Sequence, residues 1–208
     1  MHEDIFDISP VLDPTIAVFP GDTPLVREVL LDMHRGDALT LSTLRTTVHV
    51  GAHADAASHY GKDAPTIDQM PLTHYLGPCR VIHAQPPPDQ GITPDHLPPD
   101  LDTPRLLIRT SSQPDKAIFN KDFTPLTAEL IDHLADRGVI TVGVDTPSVD
   151  HADSKNLPVH ARFLAHSIAI IEGLVLENVP EGDYELIALP LRLRGFDASP
   201  VRAILRTL

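Results

Sequence analysis

Tryptophan is absent from this 208-residue sequence, cysteine occurs once, and all aromatics together make up only 4% of it. A lone Cys79 excludes an internal disulfide, and the opening MHEDIFDISP has neither the basic stretch nor the apolar core of a secretory leader. Both point to a reducing cytoplasm. No apolar run approaches the roughly 20 residues that cross a bilayer, so no membrane partner is expected. Basic residues are in the minority, with 16 Lys and Arg against 29 Asp and Glu, and the net charge is −13 with no basic stripe to offset it. Such a surface repels phosphate backbones, which argues against nucleic acid as a partner. There is no Gly-x-Ser-x-Gly nucleophile elbow, and Cys79 lies in an apolar stretch where a packed core thiol is the simpler reading.

What is plentiful is proline, at 21 residues, and histidine, at 12. The 42% hydrophobic and 22% charged content is that of an ordinary globular chain. The length suits one domain spanning 1–208. Proline at this density implies fixed loops and short elements. DISPVLDPTIAVFPGDTPL reads as extended pieces broken by turns. VREVLLD and LTLSTLRTTVHV read as a hairpin around MHRGDA. CRVIHA (79–84) and RLLIRT (105–110) read as buried strands, separated by an ordered surface excursion with seven prolines between Pro86 and Pro104. TAELIDHLADRG predicts a helix capped by Thr127, with Leu130, Ile131 and Leu134 on one face and Gly138 as its stop. VITVGVDT (139–146) is apolar enough to be covered on both faces. LPVHARFLAHS predicts a short helix, IAIIEGLVL a strand, YELIALPLRLRG the last strand, and SPVRAIL closes the chain. Strands with few helices give an α/β class, and the low helix count argues against a doubly wound sheet.

The densest chemistry is HVGAHADAASHY (49–60), with three histidines and an aspartate separated mostly by small residues. His49, His53, Asp55 and His59 all occupy odd positions and would share one side of an extended chain. Straight geometry would place His49 and His59 roughly 33 Å apart, so the segment must curve and turn after Asp55. DAASH as the start of a helix would serve equally. Imidazole and carboxylate suit a borderline divalent ion, Zn first, with Mn or Co as alternatives. Three ligands from His49, His53 and Asp55 leave open positions, as a catalytic metal site requires. A second ion would need further ligands. His160 in the short helix and Glu172 in its apolar strand are candidates, since a carboxylate there is costly to bury unless it is paired or metal-bound. The competing reading for Glu172 is an ion pair with Arg162.

HVGAHADAASH resembles the His-x-Gly-Thr/Ala-His-x-Asp-x-Pro-x-His motif of the cyclase-like metal hydrolases. FPGDTP, VDTPSVD, HSIAIIEGL and YELIALPLRLRGFDASPVRAIL are similar to blocks of the bacterial kynurenine formamidase (arylformamidase) branch, nearly end to end. The resemblance implies a layered α/β domain with a barrel-like mixed β-sheet core and a few flanking helices, assembled as a homodimer. It implies two Zn2+ per subunit (with Mn2+ or Co2+ as alternatives), one on His49, His53 and Asp55, the other on Asp55, His160 and Glu172. His59 would be the general acid/base and Phe19 would pack against the ring of an aryl formamide substrate. The implied reaction is hydrolysis of N-formyl-L-kynurenine to L-kynurenine and formate in tryptophan degradation. The sequence departs from the pattern at Ala57, where the motif has Pro, and at Phe19, where Trp is common. The alternatives are a related isatin-type cyclic-amide hydrolase and a catalytically silent metal-binding protein.

Overall fold

The computed structural model describes residues 4–87 and 90–208. Nine strands form one mixed sheet, β1 (Ile5–Asp7), β4 (His53–Asp55), β5 (Leu76–His83), β6 (Arg105–Arg109), β7 (Thr141–Val144), β8 (Ala169–Glu172), β9 (Gly182–Ile187), β10 (Ala198–Pro200) and β11 (Ile204–Thr207). Their spatial order is β1-β11-β9-β5-β6-β7-β8-β4-β10. The central β5-β6-β7-β8 run is parallel, and every pairing outside it is antiparallel. The sheet curls into a half-barrel, the expected barrel-like mixed core. The remaining pair, β2 (Val26–Leu31) and β3 (Leu41–Arg45), is the expected hairpin and forms a separate ribbon.

Only two α-helices are described, α1 (Ala128–Asp136) before β7 and α2 (Pro158–His166) before β8. The crossover from β5 to β6 is made by the proline-rich stretch instead. Its Ile92 and Leu101 are buried, so this excursion contributes to the core as well as to the surface. Pro88, the third of its seven prolines, lies outside the described residues, as do Met1–Glu3 of the opening segment. Thr127 caps α1 as expected, accepting from the N–H of Leu130, and Leu130, Ile131 and Leu134 are fully buried.

Alternation along the strands splits the core in two. Leu107, Ala169 and Ile171 join the cluster inside the curl with Ala52, Ala54 and Ala56. Leu106, Ile108, Val142, Val144 and Ile170 face the helices, against Leu130, Ile131 and Phe163. Both faces are therefore buried, which explains the nearly unbroken apolar strands.

Two expectations need correction. IAIIEGLVL is a strand only over Ala169–Glu172, because Gly173 turns the chain at φ +69°. YELIALPLRLRG is not a single last strand. β9 ends at Ile187, before Pro190 in the same stretch, where proline would remove a ladder donor. The tail SPVRAIL then supplies residues to two further strands, β10 at the open edge beside β4 and β11 beside β9.

Candidate metal centre

The 49–59 segment curves as its length demands. Gly51 takes a left-handed φ of +60°, His53–Asp55 run extended as β4, and Ala57–His59 form one 3-10 turn. The ring centroids of His49 lie 5.1 Å from those of His53 and 4.3 Å from those of His59. Ala57 does not prevent the turn. The N–H groups of His59 and Gly61 donate to the carbonyls of Ala56 and Ala57, and Ser58 N–H donates to Pro65.

Register brings in the next ligand. His53 is the direct antiparallel partner of Glu172, with Ala54 opposite Ile171. Because Ala54 and Ile171 face the inside of the curl, His53, Asp55 and Glu172 face the helix side, where α2 carries His160. The strands approach closely just beside this pair. A Cβ on Gly173, itself at φ +69°, would lie 2.1 Å from the Gly51 carbonyl oxygen. No side chain fits there.

The resulting distances are short. Asp55 Oδ1 is 3.1 Å from His49 Nδ1 and 3.5 Å from His53 Nε2, while Oδ2 is 3.7 Å from His160 Nε2. Glu172 Oε2 is 3.2 Å from His53 Nε2 and Oε1 is 3.9 Å from His160 Nε2. The two oxygens of Asp55 thus address two separate sets of nitrogens. Arg162, the competing partner for Glu172, is engaged with Asp132 instead. All five expected ligands converge, with His59 beside them.

Two residues without an assigned role in the sequence complete the arrangement. Asp150 accepts from the N–H groups of Val159 and His160 in the first turn of α2 and from His160 Nδ1 at 2.6 Å. It satisfies orphan donors of the helix and fixes the imidazole so that Nε2 faces Asp55. Asp197 accepts from His49 Nε2 at 2.9 Å and lies 3.4 Å from His59 Nδ1. It arrives through the pairing of β10 with β4, in which Ala198 stands opposite Asp55. The signals were an acid ten residues before His160 and one in RGFDASP, and neither differs from an ordinary loop carboxylate without the pairing.

Burial makes the electrostatics severe. It opposes charge on His49, yet Asp55 and Asp197 push the imidazole up to about 9. Burial likewise opposes charge on His160, and Asp150 and Asp55 push it up to about 10. His53 rises for the same reason, through Glu172 and Asp55. Burial would raise Asp55, but the surrounding imidazoles of His160, His49 and His53 hold it well below the usual carboxylate range.

His53 Nε2 and both oxygens of Asp55 are nevertheless buried without a hydrogen bond. They meet the neighbouring charged groups as ion pairs at 3.1–3.7 Å without hydrogen-bond geometry, and three such buried atoms converging on one point mark a place suited to a cation. His49, His53 and Asp55 offer ligand atoms within 4.8 Å of one another, as do Asp55, His59 and His160. Nitrogen and carboxylate donors fit a zinc-like ion. The residues present fit the metal that the chain's chemistry implies.

The cluster forms the floor of a cavity of about 450 Å³. Phe19 lies on its wall, 43% exposed, in edge-to-face contact with Phe119 at 5.1 Å. Phe119 is on the same wall and adds a second aromatic ring to it.

The Cyclase family model, "Putative cyclase", matches residues 6–151. Similar solved structures include a potential metal-dependent hydrolase with cyclase activity, 26% identical with a TM-score of 0.84, covering 99% of this chain and 98% of that one. A predicted metal-dependent hydrolase from Bacillus stearothermophilus is likewise 26% identical, with a TM-score of 0.84 and 99% of both chains covered. Isatin hydrolase A from Labrenzia aggregata shares the fold at 24% identity and a TM-score of 0.83, covering 99% of this chain and 94% of that one.

Proposed function

The chain belongs to the Cyclase family, and from that premise we propose that it is a metal-dependent amidohydrolase converting N-formyl-L-kynurenine to L-kynurenine and formate. The observation that carries the reading is the buried, hydrogen-bond-deficient set of His53 Nε2 and Asp55 Oδ1 and Oδ2, with His59 next to it at the cavity wall.

His49, His53 and Asp55 would hold one zinc ion, and Asp55, His160 and Glu172 a second, with Asp55 shared. The divided attention of its two oxygens supports that sharing. Bound there, divalent ions supply Lewis acidity and a water that ionises near neutral pH. His59 then moves the proton. With Nδ1 turned toward Asp197, Nε2 takes a proton from the attacking water and returns it to the departing aryl nitrogen, a poor leaving group as an anion. Phe19 and Phe119 flank the aryl ring, and edge-on aromatic contacts of this kind contribute about 0.5–1.5 kcal/mol each.

A second reading, opening of a cyclic amide of the isatin type, is favoured by the likeness to isatin hydrolases. A silent metal-binding role leaves His59 without purpose beside a complete ligand set. Incubating the zinc-loaded protein with N-formyl-L-kynurenine and, separately, with isatin distinguishes them, with metal content measured before and after chelation. Kynurenine absorbance should appear and vanish with the metal. Ring opening of isatin without release of kynurenine would transfer the assignment.

The homodimer is also a proposal. The β2-β3 ribbon exposes Val26, Leu30, Leu41 and Leu44, and a lone two-stranded hairpin is at best marginally stable in water. A second subunit covering it would resolve both, and light scattering at twice the 22.7 kDa chain mass would show it.

A further inference from the structure

Among the described residues lining the main cavity, Lys116 is the one lysine or arginine, in a molecule whose net charge is −13, and it also borders a smaller cavity beside Asp145. Lys116 Nζ donates to the backbone carbonyl of Asp145 at 2.7 Å. An ammonium has three donors, so this contact leaves two for another acceptor. The nearby Asp145 carboxylate does not depend on the lysine. It accepts from Thr110 N–H at 2.9 Å, Thr110 Oγ1 at 2.7 Å and Ser111 N–H at 2.8 Å.

The loop holding Lys116 is fastened at several points. Gln113 Nε2 donates to the carbonyls of Asp115 and Ile118, and Asn120 Nδ2 donates to the Ser112 carbonyl. The carbonyl of Lys116 itself accepts from Ala17 N–H at 2.9 Å, which ties it to the segment that bears Phe19. Lys116, Phe19 and Phe119 therefore form one pre-positioned wall, facing a cavity whose floor is the metal centre.

We propose that Lys116 recognises a carboxylate on the substrate, so that the cavity selects aryl amides bearing an acid group over neutral ones of the same ring size. The inference rests on the aryl-amide reading and gives it an orientation. The ring lies against Phe19 and Phe119, the amide faces the metal centre, and the carboxylate of the side chain pairs with the ammonium. Burial lowers the pKa of Lys116 against the pull of Asp145, and an arriving anion would favour its charged form. A charged hydrogen bond of this kind discriminates because the neutral analogue leaves two donors of a partly desolvated ammonium without an acceptor.

The test is calorimetric binding of L-kynurenine and of ortho-aminoacetophenone, its neutral counterpart without the amino-acid group, to the zinc-loaded protein. Wild type should prefer L-kynurenine. Lys116→Met should weaken L-kynurenine about tenfold or more, a change of 1.4 kcal/mol, and leave ortho-aminoacetophenone within about twofold. Lys116→Arg should restore most of the preference. Equal weakening of both ligands would show that Lys116 only supports the loop, and an unchanged preference would remove it from recognition; either result overturns the proposal. Hydrolysis is scored separately on N-formyl-L-kynurenine and ortho-formamidoacetophenone. Selective binding without turnover of either would sink the formamidase reading and leave carboxylate recognition standing.

Discussion

The inner and outer halves of the candidate metal centre are built differently. His53, Asp55, His160 and Glu172 are at most 3% exposed and sit on two paired strands and a helix. The side chains of His49, His59 and Asp197 are 17, 35 and 49% exposed and come from a bend, a 3-10 turn and a loop. On the inner side His53 Nε2 and both Asp55 oxygens lack hydrogen bonds and Glu172 Oε1 accepts from Val149 N–H, whereas His49 on the outer side is paired with Asp197. Holding a cation requires fixed donors in a dry place. Passing a proton requires a group that reaches both solvent and substrate.

The harshest way to break that division is Asp55→Ala. It removes the carboxylate that faces three imidazoles, so metal analysis should find the protein empty and turnover should fall below detection. The metal-free fold should lose about 3–5 kcal/mol, the cost of stranding a buried charge. His59→Ala should leave metal content whole and lower kcat by about 10²–10⁴; a variant that kept its activity would move the proton transfer elsewhere. Asp197→Ala tests the outer half more gently. Loss of the partner of His49 and His59 should lower kcat about tenfold and weaken metal affinity by a similar factor.

The smallest effect is in the stability of chelated protein. The raised values of about 9 for His49 and about 10 for His160 exceed the ordinary 6.5. Their contribution is complete below about 6.5 and is lost as pH climbs through 9 to 10. Asp55 and Asp150 are depressed below the ordinary 3.8, so theirs is present above that value and lost on further acidification. Chelated protein should melt highest between about pH 4 and 6.5. Each kcal/mol lost toward pH 9 should lower Tm by about 2–4 °C. Metal requires neutral imidazoles, so loaded protein should lack the alkaline decline.

The sequence exposed the inner half more fully than the outer. Spacing in 49–59 and a carboxylate inside an apolar strand mark ligands because burying those groups has few other justifications. The capped helix at 128–136 and the central strands were equally legible, being local patterns of period 3.6 or continuous apolar runs, whereas their parallel pairing came only with the fold. Asp197 was not legible, since its role depends on β10 crossing to β4, a pairing of residues more than 140 positions apart. Three-residue strands such as β1 and β10 carry too little pattern for periodicity to register. Asp150 lay within a quoted block, yet only the fold of α2 turns it toward His160. Lys116 looked like one more loop lysine until the fold placed it in the cavity wall.

The contact between Gly173 and Gly51 sets how far apart Glu172 and His53 stand. That spacing is dictated by peptide backbone meeting peptide backbone, with no rotamer able to take up slack. A methyl group added at position 173 would wedge the two strands apart beside the point where the proposed ion would join Asp55 to Glu172. The grip on a metal would in that sense be set by the main chain as much as by the side chains that hold it.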